Sequence, residues 1–126
     1  AIYNVEDHPK DTVLFEKDED ARFIFILRRG TVNLVIKNGG MFFIPLSNPG
    51  EIFGLSGLVE RSTYTASGVC ATDANVVRID RDKLDLIFDQ HPHAGLILIK
   101  RLGAVLSKKL SRLYRDFFSY SWNEPL

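Results

Sequence analysis

Apolar residues recur along this chain in two rhythms, and the change falls near Asp80. Before it, short apolar segments alternate with turn residues. Thr12 to Phe15 is the first, and Phe23 to Arg28 (FIFILR) is apolar almost throughout, as in a strand covered on both sides. Gly30 ends that run. Thr31 to Lys37 then alternates, with Val32, Leu34 and Ile36 on one face. Asn38-Gly39-Gly40 predicts a hairpin turn and Met41 to Leu46 the returning strand. Asn48-Pro49-Gly50 is a second turn. Tyr64 to Ala71 and Asn75 to Asp80 predict two further strands, separated by Thr72-Asp73-Ala74. Strands this short, at such intervals, predict an antiparallel barrel or sandwich.

After Asp80 the period lengthens. Asp80 predicts the cap of a short helix over about 81–90, interrupted at His91-Pro92. A long helix over about 92–119 follows, with no internal proline. Leu96, Ile99, Gly103, Leu106, Leu110, Leu113, Phe117 and Tyr120 are spaced alternately by three and four, a heptad seam flawed only by Gly103. A second stripe, Leu98, Leu102 and Val105, is confined to the first half of the helix. Together the stripes predict a homodimer, with the first half of the helix between its own barrel and a partner. A lone helix packed along the barrel is the alternative.

The 126 residues suit one ordinary domain, and 45 % hydrophobic residues suffice to close its core. Sixteen basic and sixteen acidic residues cancel, so no overall field draws the chain to nucleic acid or anionic membrane. The balance hides an asymmetry. Glu6, Asp7, Asp11, Glu16, Asp18, Glu19 and Asp20 crowd the first twenty residues, whereas Lys100, Arg101, Lys108, Lys109, Arg112 and Arg115 dominate the last helix. Cys70 is the single cysteine, which excludes an internal disulfide. No apolar run reaches the roughly 18 residues of a membrane span, and no signal peptide opens the chain. A cytoplasmic setting without membrane contact is the expectation. The chain opens on Ala1 rather than Met, which leaves neighbouring segments open.

Glu51 to Leu58 (EIFGLSGL), followed by Tyr64-Thr65-Ala66-Ser67, sits between two predicted strands. A glycine that opens a short helix leaves backbone N–H groups able to hold an anion, although many strand–helix junctions contain glycine. Order and spacing add more. The chain resembles, from about residue 9 to residue 115, the cyclic-nucleotide-binding domain shared by catabolite-activator-type regulators, kinase regulatory subunits and nucleotide-gated channels. Four pieces in order carry the resemblance: Phe25-Ile26-Leu27 with Gly30-Thr31-Val32, Asn48 to Gly54, Val77 to Leu84, and the proline-initiated long helix. It implies a mainly β fold with C-terminal α. An eight-stranded antiparallel β-roll of the double-stranded jelly-roll type, over about 9–80, precedes a short helix and a long dimerisation helix. The whole is one domain over 1–126, a regulatory or sensor module rather than an enzyme.

The departures from the family matter equally. There Phe-Gly is followed by a glutamate that binds the ribose hydroxyl, and nine or ten positions later an arginine neutralises the cyclic phosphate. Leu55 and Tyr64 occupy those places here, so weak binding of cyclic AMP and cyclic GMP is expected. The resemblance makes Phe53, Gly54, Leu55, Ser56, Tyr64 and Thr65 candidate ligand contacts, with Arg61 as a substitute cation. It also draws Leu113 and Tyr114 from the long helix, a pair suited to an apolar or aromatic ligand. Tyr64, taken as a strand residue facing the cavity, either offers a ligand its ring and hydroxyl or fills the space itself.

The effector is thus a nucleotide-like or other small molecule of unspecified identity, or the pocket is vestigial and the domain a ligand-free dimeriser of a transcription regulator. No catalytic residue, metal or resident cofactor is expected. His91-x-His93 flanks a proline at a helix boundary, which counts against the third alternative, a cupin-like metalloenzyme with its histidine pair on a strand. Cys70 suits a small buried hydrophobe. A specific DNA reader needs a recognition helix after the long one, and only Ser119 to Leu126 remain for it in this chain.

Overall fold

The apolar segments pair, in a computed structural model, into two four-stranded antiparallel sheets followed by two helices. The structure describes residues 3–58 and 62–122, with side chains through residue 116. In chain order the strands are β1 (Tyr3–His8), β2 (Val13–Phe15), β3 (Phe23–Arg29), β4 (Val32–Lys37), β5 (Met41–Leu46), β6 (Ile52–Phe53), β7 (Ser67–Cys70) and β8 (Ala74–Asp80). One sheet runs β1-β8-β3-β6 and the other β2-β7-β4-β5. A one-turn 3-10 helix (Leu55–Leu58) follows β6, and α1 (Arg81–Gln90) and α2 (Pro92–Trp122) end the described chain.

β3 lies between β8 and β6 and is covered on both faces, which is why FIFIL is apolar throughout: Ile24, Phe25 and Leu27 are all buried. The core between the sheets is built on a column of aromatic rings. Tyr64 stacks on Phe15 at 4.2 Å between centroids, Phe15 on Phe25 at 5.4 Å, and Phe25 on Phe53 at 5.2 Å. Each such pair contributes about 0.5–1.5 kcal/mol beyond its burial. Gly68 of β7 makes room for the column, since a Cβ there would stand 2.6 Å from the Phe15 ring.

Three expectations need correction. The roll begins at Tyr3 rather than near residue 9. β1 carries Asn4, Glu6, Asp7 and His8, and as an edge strand paired, among the described residues, with β8 alone it needs no apolar alternation. The strand expected from Tyr64 to Ala71 shrinks to Ser67–Cys70. Tyr64 leaves the ladder because its N–H donates to the Glu19 carbonyl at 3.0 Å, while its own carbonyl accepts from the Asp18 N–H at 2.9 Å. The long helix runs to Trp122 rather than Ser119.

Asp80 caps α1 as expected, its Oδ1 accepting from the N–H groups of Asp82 at 2.9 Å and Lys83 at 3.3 Å. The chain divides into two units, residues 1–85 and 86–126, so the roll and α2 are treated separately. α2 spans 31 residues, about 45 Å. Along its predicted seam Leu96, Ile99, Leu106, Leu110 and Leu113 are exposed, and of the second stripe Leu98 and Val105 are exposed while Leu102 is half-buried. The side chains of Phe117 and Tyr120 lie outside the described residues. No described helix is long and apolar enough to cross a membrane.

Candidate functional site

The cassette is the connection from β6 through the 3-10 turn to residue 66. Phe53 ends β6 with its ring in the core, 2 % exposed, so it supports the site from beneath. Gly54 then turns the chain at φ +69°, a conformation that side chains with a Cβ rarely adopt. A Cβ at Gly54 would stand 3.1 Å from the Phe25 ring and 3.5 Å from that of Tyr64. Leu55 and Ser56 follow, half-buried on the 3-10 turn, whose Gly57 N–H donates to the Gly54 carbonyl at 3.1 Å. Arg61, the substitute cation, lies outside the described residues. Thr65 is exposed beside Tyr64, and Leu113 and Tyr114 are exposed on α2 in the second unit. Within the roll, then, the structure brings Phe53, Gly54 and Tyr64 together.

Tyr64 is the informative member. Only 4 % exposed, it donates its hydroxyl proton to the Phe23 carbonyl at 2.6 Å and accepts from the Phe23 N–H at 3.1 Å. On the side away from β8, β3 has run out of strand partner at this point. Its Leu27 bonds Glu51 and Gly50, and Phe25 pairs with Phe53, but β6 does not reach Phe23. The phenol takes the place of the missing strand on both backbone groups, so its hydroxyl is occupied rather than offered to a ligand. Burial pushes the phenol above its usual range. The Phe23 bond opposes that shift and the Glu19 carboxylate adds to it.

A raised folded value means that the stability Tyr64 contributes is complete below the ordinary phenol pKa of about 10 and is lost as pH rises through the folded value. In an alkaline absorbance titration, one of the four tyrosines should ionise after the others and together with unfolding. Tyr64→Phe should abolish that late step. Ionisation of all four in one early transition of the folded protein would contradict the arrangement.

A second polar group went unread in the sequence. Arg78 of β8 places its guanidinium 4.4 Å over the Phe23 ring and bonds Glu6 Oε2 of β1 at 3.1 Å. His8 Nε2 lies 3.0 Å from Glu6 Oε1. The only available signal was the two-residue spacing from Val76, which puts Arg78 on the same strand face as a core valine. Cys70 is fully buried, and burial pushes its thiol up, away from thiolate chemistry.

Comparison with known proteins agrees with this geometry. The family model for the cyclic nucleotide-binding domain matches residues 5–91. A cyclic nucleotide-binding domain from Methylobacillus flagellatus KT superposes with a TM-score of 0.83 at 20 % identity, over 94 % of this chain and 68 % of that one. The Thermus thermophilus catabolite activator protein gives 0.74 at 20 % identity, over 95 % of this chain and 55 % of that one. The c-di-GMP responsive global regulator CLP of Xanthomonas campestris gives 0.73 at 22 % identity, over 90 % and 57 %. This chain therefore spans little more than half the length of either regulator. No curated protein sequence matches it. With the β-roll, the Gly54 turn and a family match over most of its length, the chain belongs to the cyclic nucleotide-binding domain family.

Proposed function

We propose that this chain is a regulatory domain that binds cyclic AMP and cyclic GMP poorly and pairs with a second copy through α2. Tyr64 carries the first half of the proposal. By the spacing of nine it stands where the family places its phosphate-neutralising arginine, yet its ring is stacked in the core and its hydroxyl is spent on β3. Leu55 stands where the family places the ribose-binding glutamate, and it brings no charge either. A charge-assisted hydrogen bond contributes about 1.5–3 kcal/mol. Losing two removes about 3–6 kcal/mol, or roughly two to four decades of affinity. The fold is compatible with other ligands, because a relative of the same architecture is described as responsive to c-di-GMP.

Titration calorimetry should give dissociation constants for cyclic AMP and cyclic GMP weaker than about 10 micromolar. Tighter binding of either nucleotide would mean that another cation, Arg61 first, has taken over the phosphate.

A further inference from the structure

The long helix α2 keeps its cations apart from its hydrocarbon. At about 100° of turn per residue, Arg101, Lys108, Arg112 and Arg115 fall within roughly 60° of arc. The line of Leu96, Ile99, Leu106, Leu110 and Leu113 lies about 170° around the helix from them. The four cations form a stripe about 21 Å long. All four side chains are exposed, and among the described residues none of them has a carboxylate within ion-pair distance. Asp116, at the border of the stripe, is the single acid of α2.

Like charges held on one rigid line repel one another, and a polyanion laid along that line removes the repulsion and releases its own counterions. The face itself selects among polyanions. A protein partner needs an apolar or aromatic centre to its interface. Along this stripe Val105 is the one apolar side chain larger than alanine, with Ala104 and Ser111 on the other border. A bilayer takes an amphipathic helix apolar face first, with cations on the flanks of that face reaching the headgroups. Here the cations stand opposite the apolar line and would point back into water. A single nucleic-acid strand is held by stacking on aromatic side chains, which this face lacks. The outside of a duplex asks for none of these. It offers one negative charge per about 1.7 Å of axis, and a guanidinium, present three times in the stripe, matches a phosphate in shape as well as charge.

We infer that this face of α2 is a docking surface for the phosphate backbone of double-stranded DNA, contacted without regard to base sequence. The neutral charge of the whole chain does not oppose it, because charges more than about 8 Å apart are largely screened at physiological ionic strength. The stripe points away from the Leu96 to Leu113 line, so it stays open with or without a second copy on that line, and the inference does not depend on pairing. Such contacts fix where a protein lies on a duplex and carry no sequence information directly.

Fluorescence anisotropy of two labelled duplexes of unrelated sequence, titrated with the full chain between roughly 50 and 200 mM salt, tests the assignment. Both duplexes should bind alike, with dissociation constants on the order of 10⁻⁴–10⁻⁶ M. The logarithm of affinity should fall with that of salt at a slope of about −3 to −4, four phosphate contacts at about 0.9 each. Arg101→Gln combined with Arg112→Gln, both on the exposed helix surface, should flatten the slope by about 2 and weaken binding at least about tenfold at the lowest salt. Lys37→Gln, which removes an exposed cation of the roll, should change neither. Circular dichroism verifies that each variant keeps its helix. No duplex binding at the lowest salt, a slope unchanged in the folded double variant, binding to phosphatidylserine vesicles in place of duplexes, or equal binding of polyglutamate at matched charge would overturn the assignment.

Discussion

Replacing Leu106 and Leu110 of α2 by aspartate is expected to turn a dimer into a folded monomer. Leu106 is 39 % exposed and Leu110 47 %, and with Leu96, Ile99 and Leu113 they form an apolar line along the 31-residue helix. A monomer rarely leaves so long an apolar stripe in water, and a spacing of alternate threes and fours is the one that keeps a stripe facing a partner helix. Each substitution removes a leucine from both copies and sets aspartates against each other. Even at about 1 kcal/mol per half-covered leucine, the four leucines contribute about 4 kcal/mol, or roughly three decades in the dimer dissociation constant. Sedimentation at concentrations on the order of tens of micromolar measures the mass, and circular dichroism verifies that the roll is intact. Wild-type protein already monomeric under those conditions, or a double variant still dimeric, would exclude the seam as the interface.

The parts of the roll that could be read in advance are those where burial dictates the sequence. β3 is covered on both faces and shows an unbroken apolar run. β4 is the inner neighbour of β7 and β5, and its Val32, Leu34 and Ile36 mark the core face. β1 was illegible for the opposite reason: an edge strand with exposed Tyr3, Asn4, Val5 and Asp7 has no pattern to display. Tyr64 opens the strand that the sequence predicts from Tyr64 to Ala71. What removes it from the strand is bonding to Asp18, Glu19 and Phe23, residues more than forty positions away that no local pattern encodes. Arg78 shows a further limit. In Val76-Val77-Arg78-Ile79 both parities contain apolar residues, so the run itself does not say which side faces inward. Register with Glu6 and Phe25 decides it, and register is a property of three strands at once.

Leu55→Glu combined with Tyr64→Arg is expected to raise affinity for cyclic AMP by about two to four decades, since it restores both family charges at the spacing of nine. The gain comes at the expense of stability. Removing the Tyr64 ring forfeits its stack on Phe15, about 0.5–1.5 kcal/mol, and strips two hydrogen bonds from the Phe23 backbone. A guanidinium can still donate to the Phe23 carbonyl, but it cannot accept from the Phe23 N–H, and that orphaned group costs about 1–3 kcal/mol. The double variant should therefore melt below the wild type without ligand and recover part of the loss when cyclic AMP is added, whereas the wild type should not respond. The single variants separate the two contacts. Tyr64→Arg alone supplies the phosphate partner and should gain part of the affinity. Leu55→Glu alone adds a carboxylate near an unneutralised phosphate and should gain none. Calorimetry and thermal melts on the four proteins read all of this directly. A folded double variant with no measurable gain would mean that Tyr64 does not stand at the arginine position, or that the aromatic column leaves no nucleotide-shaped space beside Gly54 even when its outermost ring is gone.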